Sequence, residues 1–152
     1  MTNSPRLEAS KLKRITRNSK VEISEYQDQS FASARVLIVE DNALSRVSLG
    51  RELEKWGILP EYAVDGKHAL YRLNNEEWDV VLIDISMPKM DGLDVCRSFY
   101  ESNPSSDVPI VAVSASSTEE LREKALECGM KGVFAKEHLA RMMSDILTKY
   151  LG

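Results

Sequence analysis

The chain is poor in the residues that mark several large classes of protein. It has only two cysteines, Cys96 and Cys128, in 152 residues. Two thiols cannot build a disulfide framework, and no Cys-x-x-Cys or Cys/His cluster points to zinc. Reduced thiols packed between helices, in a cytoplasmic protein, are expected. Seven glycines and five prolines exclude collagen-like and low-complexity architecture. No apolar run nears the roughly 20 residues that a membrane span needs, and the N-terminus lacks the apolar centre of a secretory signal. The formal charge is only −4, which excludes a surface built as a whole for nucleic acid. The two histidines, His68 and His138, fall in predicted helices as surface residues.

What is present fits one globular domain with a short addition. Hydrophobic residues make up 43% and charged residues 29%, a composition that can bury a core. The charge is uneven. Residues 1–34 hold six basic and four acidic side chains, net +2, so the remainder nets −6. Apolar periodicity is thin in that first segment. It reads as a mobile basic extension, with a short docking helix as the alternative, and the domain as 35–152.

From Arg35 onward strands and helices alternate five times. Val36–Val39, Tyr62–Val64, Val80–Ile83, Ile110–Val113 and Val133–Ala135 read as strands. Between and after them come helical patterns. The first joins Leu44, Val47, Leu49, Leu53 and Trp56 and stops at Gly57; the fourth stops at Gly129. Short apolar runs without alternation belong to strands covered on both faces, hence to a parallel sheet. Five such units predict an α/β, flavodoxin-like doubly wound sheet in the order 2-1-3-4-5. Trp56 and Trp78 are expected to fill gaps between helices and sheet.

Ligands bind at the carboxyl ends of such strands. The first strand ends in Glu40-Asp41-Asn42, the third in Asp84, the fourth in Ser114 and the fifth in Lys136. Each has a simpler explanation alone: Asp41 or Asn42 as a helix cap, Ser114 as a turn residue, Lys136 as a solvated charge. Together they place three carboxylates, a hydroxyl and an ammonium at one sheet edge. Crowded carboxylates repel, and a divalent cation such as Mg²⁺ removes the conflict. An aspartate there is also a competent nucleophile toward phosphorus, and Asp84 is central.

The motifs Val36-Leu37-Ile38-Val39-Glu40-Asp41-Asn42, Asp84-Ile85-Ser86-Met87-Pro88-Lys89-Met90-Asp91-Gly92, Ile110-Val111-Ala112-Val113-Ser114-Ala115 and Lys136 resemble the receiver domain of two-component response regulators, over about residues 35–151. The resemblance implies Asp84 as phosphoacceptor. It implies Asp41 and Glu40 as Mg²⁺ ligands, Glu40 through water, and the Ser86 carbonyl as a further ligand. Ser114 would be the switching hydroxyl, and Lys136 would pair with the phosphoryl group. The implied donor is a phosphohistidine on a sensor histidine kinase or a histidine phosphotransfer protein. The implied output surface is the face of the fourth helix, fifth strand and fifth helix. Such a chain is a signalling switch that catalyses at most its own phosphotransfer and dephosphorylation. No output domain is expected after the last helix, and the receiver itself is not expected to bind nucleic acid.

Two positions depart from the pattern. Val133 stands where the family often has an aromatic switch residue, and Phe134 is expected to face the other side of the strand. Glu137 stands where proline commonly follows the lysine. These departures leave open a phosphorylation-independent interaction module on the same fold. A haloacid-dehalogenase-like phosphatase would want an aspartate two residues after its nucleophile, where Ser86 stands. A flavodoxin would want a phosphate-binding loop after the first strand, where Glu40-Asp41 would repel it.

Overall fold

The computed structural model describes residues 31–152. Most of the expected basic extension therefore lies outside the described residues. The five strands are β1 (Val36–Val39), β2 (Glu61–Ala63), β3 (Val80–Asp84), β4 (Ile110–Ser114) and β5 (Gly132–Ala135). The helices are α1 (Ala43–Glu54), α2 (Gly66–Asn75), α3 (Gly92–Ser102), α4 (Glu119–Glu127) and α5 (Leu139–Leu151). All strand pairs are parallel, in the order β2-β1-β3-β4-β5. The doubly wound fold expected from the alternation is the one observed.

Successive strand residues face opposite sides, and the two sides bury separate cores. Leu37, Val39, Val81, Ile83, Ala112 and Val133 pack under α2, α3 and α4. Val36, Ile38, Leu82, Val111 and Val113 pack under α1 and α5. Phe134 lies against this second core, opposite Val133, as the pleat requires. Both cysteines are buried and unpaired.

Helix starts are fixed by polar caps, which satisfy backbone N–H groups that the first turn leaves unpaired. The Asn42 side chain accepts from the Ser45 N–H, Asp65 from His68 and Thr118 from Leu121. Asp91 and Asp94 form a reciprocal capping box on α3. His68 is exposed on α2, while His138 precedes α5 as its cap residue without a side-chain bond. Gly57 and Gly129 take positive φ where α1 and α4 end, a conformation that glycine adopts without steric cost.

The helix read from Leu44 to Trp56 forms, but its apolar pattern is only partly buried. Leu44 is 79% exposed and Val47 48% exposed. Only Leu49, Leu53 and the following Trp56 reach the core. The core also takes in Phe31, ahead of the boundary expected after Ala34; its ring stacks on Trp56 at 5.7 Å.

The amino end of the sheet is closed by an ion-pair network. Arg35 and Arg72 both bind Glu61 and Glu76. Their guanidinium carbons lie 4.2 and 4.9 Å from the Trp78 ring centre. Glu76, accepting from both arginines, has its carboxyl pulled down to about 2.

Candidate functional site

At the opposite, carboxyl end of the sheet the chain leaves β1 with Glu40, whose N–H still donates to the Ala63 carbonyl at 3.1 Å. The cap of α1 is Asn42. Asp41 is therefore not used as a cap, and it is exposed. Asp84 is the last residue of β3 and is buried between β1 and β4. Its Oδ1 accepts from the Ser86 N–H at 3.1 Å. The loop beyond it is held close, because a Cβ on Gly92 would sit 2.7 Å from the Asp84 carbonyl.

One carboxylate oxygen from each of Glu40, Asp41 and Asp84 lies within 4.8 Å of the others. Hard oxygen donors at such spacing can converge on one Mg²⁺-class cation. Lys136, directly after β5, is carried to the same place by its N–H bond to the Ser114 carbonyl, 2.8 Å. Its Nζ lies 2.7 Å from Glu40 Oε1 and 3.7 Å from Asp84 Oδ2.

Glu40 is nearly sealed from solvent, at 1% exposure. Burial pushes its carboxyl above the ordinary value; the Lys136 bond pulls it down, and neighbouring Asp84 pushes it up again. The lysine thus offsets part of the charge crowding, but one ammonium faces three carboxylates.

Ser114 ends β4 in the register next to Ala135, and it is buried. Its Oγ accepts from the Ser116 N–H at 3.3 Å. Ser86 is exposed in the loop after Asp84. The structure therefore gathers Glu40, Asp41, Asp84 and Lys136 by direct proximity, sets the Ser86 amide on Asp84, and leaves the Ser114 hydroxyl bonded within its own loop.

Two features were not read from the sequence. One is the pairing of Lys136 with Glu40 across 96 positions, which no local spacing encodes. The other is Arg46, whose Nη1 donates to the Glu40 carbonyl at 3.0 Å. A basic residue one turn beyond an acidic pair was its only signal.

Comparison with known proteins identifies a family for this sequence and fold. The response regulator receiver domain family matches residues 36–148. The response regulator MprA of Mycolicibacterium vanbaalenii is 34% identical over 119 residues, 76% of this chain and 51% of that protein. The sensor protein EvgS of Escherichia coli K12 is 36% identical over 95 residues, 62% of this chain and 8% of that protein. The chain thus spans about half of the one relative (51%) and a small part of the other.

Among solved structures, the chemotaxis protein CheY4 of Vibrio cholerae shares the fold, with TM-score 0.71 at 24% identity, covering 77% of this chain and 98% of that one. The receiver domain of the Arabidopsis thaliana histidine kinase CKI1, solved with Mg²⁺, has TM-score 0.66 at 28% identity, covering 80% and 97%. Sheet order and matched sequence agree: the chain belongs to the response regulator receiver domain family of two-component signalling.

Proposed function

We infer that the chain is a phosphoryl-accepting switch in which Asp84 takes its phosphoryl group from a phosphohistidine. The observation that carries this reading is the setting of Asp84. It is a buried carboxylate at a central strand end, 3.7 Å from an ammonium and clustered with two further carboxylates.

The Ser86 N–H holds Oδ1 of Asp84, which fixes the carboxylate plane for in-line attack by an oxygen on phosphorus. The new O–P bond forms as the P–N bond to the donor imidazole breaks, and the imidazole nitrogen keeps the electron pair. Lys136 stabilises charge on the transferred phosphoryl oxygens. The Ser114 hydroxyl then exchanges its Ser116 contact for a phosphoryl oxygen, biasing the face of α4, β5 and α5 toward its output partner.

Three carboxylates against one lysine suit a hard divalent cation, so the residues fit Mg²⁺. Asp41, Asp84 and the Ser86 carbonyl would hold it, with Glu40 acting through water. When bound, the ion supplies charge neutralisation at the phosphoryl group.

The donor under this reading is a sensor histidine kinase or a histidine phosphotransfer protein, and the place of work is the cytoplasm. Among the described residues no helix is long and apolar enough to cross a membrane. Val133 favours a second reading, binding without phosphorylation, since it offers no aromatic ring to follow Ser114.

The test is mass spectrometry after incubation with Mg²⁺ and acetyl phosphate. The wild type should gain one phosphoryl group and Asp84→Asn none. Phosphate uptake by Asp84→Asn would remove Asp84 from the role, and no uptake by the wild type would favour the second reading.

A further inference from the structure

Among the described residues, nothing donates a hydrogen bond to the Asp41 carboxylate, and the side chain is exposed. Its place beside Glu40 and Asp84 must therefore come from its backbone. That backbone is a turn between the end of β1 and the first residue of α1. The Glu40 carbonyl and the Asp41 N–H belong to one planar peptide unit. Whatever fixes that carbonyl fixes the direction of the Asp41 N–Cα bond; with the next peptide unit also held, φ is set and with it the direction of Cβ.

The Arg46 guanidinium supplies that constraint, at 3.0 Å from the Glu40 carbonyl. The main chain of Arg46 is itself fixed, because its N–H bonds the Asn42 carbonyl in the first turn of α1 at 2.9 Å. The Asn42 N–H in turn bonds Glu40 Oε2 at 3.3 Å. The acidic turn is thus braced from the helix that follows it.

We propose that Arg46 is a positioning residue for the cation site, acting through the Glu40–Asp41 peptide on Asp41. The proposal rests on the reading of Asp41 as a ligand. Charge and position predict opposite signs. A guanidinium near a cation site repels the cation, so if charge were its whole effect, its removal would tighten Mg²⁺ binding. If it holds Asp41, its removal loosens binding.

The experiment is calorimetric titration of the full chain with Mg²⁺, for wild type, Arg46→Gln, Arg46→Lys, Asp41→Asn and the double variant Asp41→Asn/Arg46→Gln. Arg46→Gln should weaken binding by about tenfold, the low end for residues that orient metal ligands. Arg46→Lys, which keeps a donor, should recover most of that loss. In the Asp41→Asn background, Arg46→Gln should cost nothing more, since its target is gone. In metal-free protein, amide hydrogen exchange at 40–42 should quicken in Arg46→Gln while the unfolding midpoint stays put.

Binding in Arg46→Gln within twofold of wild type, or tighter, overturns the proposal. So does an equal further loss in the Asp41→Asn background. A wild type that does not bind Mg²⁺, or an Asp41→Asn variant that binds like wild type, overturns the underlying site reading instead, and the positioning role with it.

Discussion

Replacing Lys136 with methionine tests how the acidic cluster is held before any cation arrives. The lysine Nζ lies 2.7 Å from Glu40 and 3.7 Å from Asp84. At an effective dielectric near 20, those separations correspond to attractions of about 6 and about 4.5 kcal/mol. Most of this is offset by the cost of burying the charges. Deleting one partner of a buried pair has a net cost of about 3 kcal/mol, because the other charge stays buried and unpaired. For a domain of this size urea slopes are about 1.5 kcal/mol per molar. The urea midpoint at neutral pH in EDTA, followed by circular dichroism, should therefore fall by about 2 M.

The pH dependence carries a sign. Glu40 already has its folded value raised by burial, and losing Lys136 raises it further. A carboxyl whose folded value is raised holds its proton more tightly in the folded state, so stability falls as pH rises through that window. The deficit of Lys136→Met should be largest at neutral pH. It should close as pH drops through the raised folded value of Glu40, above the ordinary carboxyl value, where the wild type too protonates Glu40 and loses the pair. Saturating Mg²⁺ should also narrow it, by binding the folded state alone. A deficit that stays constant from acid to neutral pH, or none at neutral pH, would refute the argument that Lys136 compensates Glu40.

Two further outcomes concern the rest of the domain. Glu76 has its carboxyl held down to about 2 by Arg72 and Arg35, so it stabilises above the ordinary carboxyl value and loses that contribution as pH falls toward the folded one. Glu76→Gln should cost on the order of 1 kcal/mol at neutral pH and flatten the fall of Tm in that acid window. Gly129 has φ of 102°, and a Cβ there would lie 2.7 Å from the Tyr100 ring; Gly129→Ala should cost about 2 kcal/mol and lower Tm by roughly 5–10 °C in a calorimetric scan.

The strands and their order were legible because continuous runs such as Val36–Val39 and Val80–Ile83 can only be satisfied with cover on both faces. The site was legible because strand ends converge in this topology, and four of them carried polar residues. Helix faces were less so. Leu44 and Val47 sit at helical spacing with Leu49 and Leu53, yet point to solvent, because an apolar pattern on α1 does not say which part of it meets the sheet. Phe31 was hidden for the converse reason: a lone aromatic in a polar stretch has no period, and only the position of Trp56 gives it a partner. Lys136 was readable as a site residue from its strand end, but its bond to Glu40 depends on side-chain lengths meeting across β1, β3 and β4. The brace from Arg46 to a main-chain carbonyl leaves only a weak trace, a basic residue one turn beyond the acidic pair, because spacing does not say which carbonyl a long side chain will reach.

The two indoles lie at the amino end of the sheet, one just after α1 and one just before β3, a strand's length of roughly 15 Å from Asp84. Trp56 is stacked on Phe31, and Trp78 is flanked by two guanidinium groups. Intrinsic fluorescence of this protein is therefore an optical gauge of how its first described residues are stitched to the domain. Asp84 lies at the opposite rim from both chromophores, so a tryptophan introduced at that rim would report on its chemistry more directly.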